Sequence, residues 1–500
     1  MKGFPTTLVE RADQVAVIAG DRQLTYAELD ARASRLAHAL ANRGAEAGGR
    51  VGTVLPNRVE VVEALAASAK VGAANLALNW HLKSDELAWI IEDSGVAVLV
   101  ADAAVRAEVE TANRPAGVPV LWVDDDYEEV LAAAPATPLP YVWPTSWPVL
   151  YTAGTSGRPK GVVHGGMAAP EIMETAQDGL AAMWGYTAED VHLAAGPLYH
   201  AGPAGYANTT LYVGGTVVVM ESWGAEDFLR LVDAHQVTTT FLTPAHLIRL
   251  LELPAETWDR YDLSSLRHVL HAGAPCPVTV KQRIIEALPR AEVWELYGMS
   301  EGGATRVSAE EWLARPGTVG LPWPGVEVRI CDPDSREELP TGTDGIIWVK
   351  PAYGRFEYHN DQAKTDEAWS DDRFTVGDIG HLDADGYLFL TDRQSDLIIR
   401  AGVNLYPREV EDVLYRHPAV VDCAVFGIPD ERDGEHPMAV VETRSAVEPE
   451  ELSTWCRERV DGYKVPVRIE LVDELPRDPN GKVLKRRLRE AAWASAGRRI

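Results

Sequence analysis

Apolar positions in the first half of the chain alternate between two periods. Leu24-Thr25-Tyr26-Ala27-Glu28-Leu29 runs into Ala33, Leu36, Ala37, Leu40 and Ala41, a stripe with helical spacing that predicts an amphipathic helix ending near Gly44. Residues 51–55 then read as a strand and 61–71 as a second helix. Short apolar runs at 96–100, 191–195, 216–220, 238–241 and 269–272 repeat the strand signal, and helical spacing returns near 225–234, 244–252 and 278–288. This rhythm predicts crossover units with helices packed against largely parallel sheets, an α/β arrangement that places ligands at the strand ends.

The pattern changes after about residue 340. Gly342, Gly345, Gly354, Gly377, Gly380 and Gly386 punctuate short extended runs such as Ile346-Ile347-Trp348-Val349, which predicts a β-rich subdomain and a mixed α+β character for the whole. The polar stretch Asp392-Arg393-Gln394-Ser395-Asp396 precedes a segment with its own pattern: a helix near 408–416, strands near 422–426 and 437–441, and a helix near 449–460. The expected division is a large domain, 1–394, and a small domain, 395–500. A chain of 500 residues with 46% apolar content accords with two cores rather than one.

Charge narrows the partners. With 75 acidic and 47 basic residues the formal net charge is -28, which argues against nucleic acid, since neutralising phosphates needs clustered cations. No apolar stretch has the length of a signal peptide core or a membrane span. Cys276, Cys331, Cys423 and Cys456 are widely spaced and form no metal-binding or redox pair, so the expected setting is cytoplasmic with free thiols.

The sharpest local signal is Val149-Leu150-Tyr151-Thr152-Ala153-Gly154-Thr155-Ser156-Gly157-Arg158-Pro159-Lys160-Gly161-Val162. An apolar run enters a loop with three glycines, adjacent hydroxyls and a lysine. Glycines let amides turn toward an anion, hydroxyls donate hydrogen bonds and the lysine adds charge. No Ser or Thr follows Lys160, so this is not the usual P-loop, and taken alone the segment also fits a surface turn.

Further motifs follow in a fixed order: Gly196-Pro197-Leu198-Tyr199-His200, His271-Ala272-Gly273-Ala274-Pro275, Glu295-Leu296-Tyr297-Gly298-Met299-Ser300-Glu301, and Val376-Gly377-Asp378-Ile379-Gly380. Asp392-Arg393, Ala401-Gly402-Val403-Asn404-Leu405-Tyr406-Pro407 and Pro476-Arg477-Asp478-Pro479-Asn480-Gly481-Lys482 complete the series. Across nearly its whole length the chain resembles the adenylate-forming superfamily of acyl-CoA synthetases, peptide-synthetase adenylation domains and beetle luciferases.

The resemblance implies roles residue by residue. Thr152, Thr155, Ser156, Gly157 and Lys160 would hold the ATP phosphates, Tyr297 with Gly273, Ala274 and Pro275 would form the adenine platform, and Glu295 and Gly298 would be further nucleotide-binding positions. Ser300 would meet the α-phosphate, where relatives often carry Thr, and Glu301 would hold Mg²⁺. Asp378 would accept the ribose hydroxyls and Arg393 would add a donor beside them. Lys482 would neutralise carboxylate and α-phosphate during adenylation, and His200 would gate the acid pocket or stand behind it. After rotation of the small domain about Ser395, Gly402 would border a CoA tunnel, although a turn alone would also explain that glycine. Ser395 and Val403 depart from the Asp or Lys and the acidic residue more usual at those positions. Lys485, Arg486, Arg487 and Arg489 read as basic surface or as a CoA-phosphate patch.

For the acid, Ala201-Gly202-Pro203-Ala204-Gly205 predicts either a broad pocket or a closely packed helix, and no Asp stands ready for a substrate amine. The combined expectation is an AMP-forming acyl-CoA synthetase that uses ATP, Mg²⁺ and CoA on a non-amino, possibly bulky acid of fatty-acid or specialised metabolism. A homodimer is compatible with the resemblance. Two alternatives stay open: a ligase that charges a separate carrier protein, since no carrier segment follows Lys482, and an inactive scaffold with this fold.

Overall fold

The computed structural model describes residues 4–112, 117–142, 149–152, 159–164, 170–430, 432–478 and 481–495. Within them lie four sheets, the largest of 15 strands. One half of that sheet is parallel: Val15–Ala19, Thr216–Val219, Val191–Ala194, Thr239–Leu242, His268–His271 and Glu292–Met299 lie side by side in that order. Strands Thr239–Leu242 and His268–His271 are buried at every position, as strands covered on both faces must be. The helices Ala201–Val213, Ala225–His235, Pro244–Leu251 and Val278–Ala287 make the crossovers between them.

The other half is antiparallel, running through Gly302–Val307, Thr318–Pro322, Leu388–Arg393, Asp378–Leu382 and Gly345–Lys350. The change of character therefore falls at Ser300-Glu301, well before the expected position near 340. Glycines hide the early strands from a hydrophobic-pattern reading: a Cβ on Gly298 would lie 2.9 Å from the Cα of Gly303, so these two strands need bare backbone where they approach.

Helix Tyr26–Ala41 shows how the local pattern works. Thr25 and Glu28 form a capping box, the Glu28 amide donating to Thr25 Oγ1 at 3.2 Å and the Thr25 amide to Glu28 Oε2 at 2.8 Å. Ala33, Leu36, Ala37 and Leu40 are fully buried against a second, all-parallel sheet built from Arg50–Val54, Ala74–Ala77, Val98–Ala101 and Val120–Trp122 and its neighbours, while Leu29 is buried with Val17 and Val217 of the largest sheet. Truncating Leu36 to Ala would cost about 2–5 kcal/mol in such a core. Helix Ala201–Val213 was readable only as a cluster of small residues. A Cβ on Gly202 would lie 2.6 Å from Phe241 Cζ, so that glycine serves close packing, the second of the two readings its segment allows.

A hairpin of Leu150–Thr152 and Lys160–Val163, joined by Glu357–Tyr358, frames the phosphate loop. The last sheet has five strands, Ile398–Arg400, Val403–Leu405, Val420–Asp430, Gly434–Thr443 and Arg468–Val472, flanked by helices Pro407–Leu414, Pro449–Arg457 and Lys485–Ser495. The fold is thus a large mixed α/β body with parallel and antiparallel sheets, followed by a smaller β-rich C-terminal unit. All four cysteines are free and buried. Among the described residues no helix is long and apolar enough to cross a membrane.

Candidate active site

The motif residues gather at the C-terminal ends of the parallel strands, where amides and turns are free to meet a ligand. Strand His268–His271 releases the chain into Gly273, which takes φ +91° and stands exposed beside Pro275, with Ala274 half-exposed. The adjacent strand Glu292–Met299 carries Tyr297, whose hydroxyl donates to Asp378 Oδ2 at 2.8 Å. Arg393 Nε donates to the other oxygen, Asp378 Oδ1, at 2.9 Å, across a register pair of strands Asp378–Leu382 and Leu388–Arg393. Both oxygens expected to meet a ribose already hold a donor, so ribose hydroxyls would have to share or displace them.

Burial, and then the carboxylate of Asp378, push the Tyr297 phenol well above its ordinary value, so it stays a neutral donor. Burial would lower the Arg393 guanidinium, but Asp378 and Asp396 outweigh it and the net shift is upward.

Lys482 enters this group from the C-terminal unit. It stays accessible to solvent, and among the described residues its ammonium has no ion-pair or hydrogen-bond partner; its backbone is held at both groups, the amide donating to Asp478 Oδ1 at 2.9 Å and the carbonyl accepting from the Asp478 amide at 2.8 Å. The surrounding protein, with the charge of Arg393, pushes its pKa below the ordinary lysine range, while Asp478, Asp396 and Asp378 oppose that shift. Tyr199 lies within the electrostatic reach of Asp478, and its neighbour His200 packs on it with ring centroids 4.5 Å apart. Burial lowers His200 to about 4, leaving a neutral imidazole whose enclosed Nε2 has no hydrogen-bond partner among the described residues.

The phosphate side is anchored by Tyr358. Its hydroxyl donates to Glu301 Oε1 at 2.8 Å, and the Lys160 ammonium lies 5.2 Å from the centre of its ring. Among the described residues Glu301 Oε2 takes no hydrogen bond, so the half-buried carboxylate keeps an oxygen able to meet a hard cation. His164 Nε2 donates to the Ser300 carbonyl at 2.8 Å and fixes the turn between Tyr297 and Glu301. Thr152 Oγ1 reaches the Lys160 carbonyl at 3.5 Å, closing the hairpin below the loop. Thr155, Ser156 and Gly157 lie outside the described residues.

Glu295 is placed differently from the expected nucleotide contact. Its carboxylate is buried against Lys281, 3.3 Å away, whose ammonium also meets His271 Nε2 at 2.7 Å. Burial lowers both Lys281 and His271. Lys281 ties together the ends of the two strands that carry Gly273 and Tyr297. Its sequence signal is a lysine on the apolar stripe shared by Ile284, Ile285 and Leu288.

Gly402 stands apart from this group. Ala401 and Gly402, with φ +49° and +80°, are the two central residues of an exposed hairpin turn, and a Cβ on Gly402 would meet nothing within 4 Å. Its positive φ is reason enough for glycine there. The basic cluster is also redistributed: Lys485 is withdrawn from solvent and paired with Glu411 at 2.7 Å, and Arg489 with Glu435 at 2.8 Å. The surface or CoA-patch reading is thereby corrected for these two, because each already neutralises a poorly exposed carboxylate.

Comparison with known proteins agrees with this geometry. Residues 4–354 match the family described as AMP-binding enzyme, and residues 409–482 match the AMP-binding enzyme C-terminal domain. A fatty acid–[acyl-carrier-protein] ligase, ScoC of Streptomyces coeruleorubidus, is 33% identical over 97% of this chain and 95% of its own length. A feruloyl-CoA synthase of an Amycolatopsis species is 35% identical over 95% of both. The o-succinylbenzoate CoA synthetase of Bacillus subtilis, solved with its acyl-adenylate intermediate, superposes with a TM-score of 0.83 at 29% identity, covering 97% of both chains. Family models that match most of the chain, relatives at 33% and 35% identity over nearly its whole length and a shared fold make this chain a member of the AMP-binding, adenylate-forming enzyme superfamily, whose members activate acids with ATP.

Proposed function

We propose that the chain is an AMP-forming acyl-CoA synthetase acting on a non-amino carboxylic acid. The observation that carries this reading is Lys482, whose ammonium has no ion-pair or hydrogen-bond partner among the described residues and which lies within the electrostatic reach of Arg393 and Asp378, themselves joined to Tyr297. In the first half-reaction a carboxylate oxygen attacks the α-phosphorus of ATP; the new O–P bond forms as the bond to pyrophosphate breaks. Lys482 faces the charge of both reacting oxyanions and stabilises the transition state electrostatically, without taking a proton. Tyr297, Asp378 and Arg393 hold adenine and ribose, and the Gly273–Pro275 turn gives the purine an open backbone edge. Lys160 and the hairpin of strands Leu150–Thr152 and Lys160–Val163 support the leaving phosphates. Glu301, with its uncommitted oxygen, would hold Mg²⁺, which when bound draws charge from the phosphates.

In the second half-reaction the unit 395–500 turns about Ser395, withdraws Lys482 and brings the Gly402 turn to the cleft. The CoA sulfur then attacks the acyl carbon and AMP leaves. His200, neutral and partly enclosed, lines the acid side and moves to admit the thiol.

The similarity to ScoC favours a second acceptor, a carrier protein, with the same first half-reaction. A panel of fatty and aryl acids assayed for pyrophosphate, with mass analysis for acyl-AMP, acyl-CoA and acylated carrier, separates the readings. Acyl-CoA formation with CoA alone is the expected result. Acyl transfer to a carrier with none to CoA selects the second reading, and no pyrophosphate with any acid removes both.

A further inference from the structure

Helix Pro244–Leu251 and its capping residue Glu252 make more direct polar contact with the C-terminal unit than their place in the crossover requires. Ala245, Arg249 and Glu252 are spaced by four and three residues, which puts all three on one face of the helix. Each of the three meets the C-terminal unit. Gly481, with φ +81°, rests on Ala245 so closely that a Cβ there would lie 2.6 Å from the Ala245 Cβ. Glu252 receives Arg444 through two hydrogen bonds, Nε to Oε2 at 3.2 Å and Nη2 to Oε1 at 2.8 Å.

Arg249 begins a longer connection. Its Nη1 donates to Glu442 Oε1 at 2.7 Å, and the other oxygen of that buried carboxylate accepts from Arg477 Nη2 at 3.1 Å and from the Leu475 amide at 3.2 Å. Arg477 Nη1 then donates to the Gly481 carbonyl at 3.1 Å. Three charged side chains thus lead from the helix to the residue immediately before Lys482. The two bridging pairs have opposite polarity, arginine to glutamate at 249 and glutamate to arginine at 252, and both partners come from one strand edge, Glu442 and Arg444. Val421, displaced at a strand irregularity, adds an apolar contact by packing into the core cluster that includes Leu247, Ile248 and Leu250.

We propose that this helix face is a docking rail that selects the orientation in which Lys482 enters the cleft, and that Arg249 and Glu252 are positioning residues for adenylation. The inference rests on the proposed role of Lys482 in the first half-reaction. The contacts of Ala245, Arg249 and Glu252 join the body to the C-terminal unit, while those among Glu442, Leu475, Arg477 and Gly481 lie within that unit, so rotation about Ser395 breaks the bridging pairs together and leaves the internal ones intact. The opposite polarities reject an alternative register, since sliding the unit by one step sets like charges against each other.

The test uses the full chain with spin labels at Ser335→Cys and Thr454→Cys, both exposed, one on each part. Interdomain distances are measured without substrate. Pyrophosphate release is followed with the acid that gives the fastest wild-type rate, and thioester formation is followed separately from that acid's synthetic adenylate. Arg249→Gln should broaden the distance distribution and slow pyrophosphate release on the order of tenfold, the loss expected for one charged contact, while thioester formation stays within about twofold. Glu252→Arg should act in the same direction, and Glu252→Arg with Arg444→Glu should restore the wild-type distances. Unchanged distances in Arg249→Gln and Glu252→Arg, equal loss in both half-reactions, or no restoration in the exchanged pair overturns the rail. Lys482→Ala in the labelled chain should keep the wild-type distances while losing pyrophosphate release. Retained release in that variant defeats the role given to Lys482 and leaves the distance result standing.

Discussion

The large body and the C-terminal unit position their functional groups by different means. In the body, Tyr297, Asp378 and Arg393 sit on strands of one sheet and are joined directly by hydrogen bonds of 2.8 and 2.9 Å. Their geometry is a permanent product of the fold. Among the described residues the Lys482 ammonium has no such bond, and its neighbour Gly481 rests on Ala245 of helix Pro244–Leu251. In the proposed two-step reaction, the group that acts and then withdraws would be held by an interface, whereas the groups that keep the nucleotide would be held by the sheet.

The largest effect that can break this contrast is on Lys482 itself. Lys482→Ala should lower acyl-adenylate formation by at least about 10²–10³-fold, as loss of a preorganised transition-state charge does, while largely sparing thiolation of supplied acyl-adenylate. Equal losses in the two assays, with folding intact, would place the lysine in the permanent framework instead. The same cation sets a pH dependence. Its pKa is lowered, so the charged form is lost as pH rises through a value below the ordinary lysine range. Adenylation should therefore fall on the alkaline side below the ordinary lysine value of 10.5, a limb read from single-turnover pyrophosphate release between pH 7 and 10.5 and absent from the thiolation rate.

Next in size is the buried support beneath the nucleotide turn. Lys281→Met leaves the Glu295 carboxylate without its ammonium and should cost about 3–5 kcal/mol of stability in denaturant unfolding. Lys281→Met with Glu295→Gln should recover part of it, and a cost of Lys281→Met under 1 kcal/mol would remove this pair from the permanent framework. Tyr297→Phe deletes one donor to Asp378 while Arg393 stays. About 1–2 kcal/mol, or roughly tenfold in ATP affinity by calorimetry, is the expected loss, with thermal stability nearly unchanged. The smallest effect belongs to an exposed pair far from either means of support. Arg486→Ala removes the 2.7 Å contact to Glu490 and should change stability by less than about 0.5 kcal/mol.

Much of the body could be read from the chain because its signals are local. The strand expected at 269–272 is found at His268–His271, and the helix expected near 278–288 is Val278–Ala287. The motif order likewise named Tyr297, Asp378, Arg393 and Lys482, which the fold brings around one cleft. What escaped was decided by distant partners. The small residues around Gly202 fit a pocket or a packed helix equally well in the sequence, and the distant Phe241 decides for packing at Gly202. Glu295 sat inside a nucleotide motif, yet its carboxylate answers to Lys281 on a crossover helix. Tyr358 carries no motif of its own and reaches Glu301 only because strand Glu357–Tyr358 pairs with Lys160–Val163. Such pairings depend on register between segments far apart in sequence, and hydrophobic periodicity carries no information about it.

The four buried cysteines matter for an enzyme of this chemistry. An acyl-adenylate is a mixed anhydride that acylates any thiolate it meets. Burial raises the thiol pKa of Cys276, Cys331, Cys423 and Cys456, the last to about 11, so at neutral pH each is held as the unreactive thiol. The protein thereby makes a strong acylating agent while offering it no nucleophilic sulfur of its own, and self-modification is avoided by the same packing that keeps the cores dry.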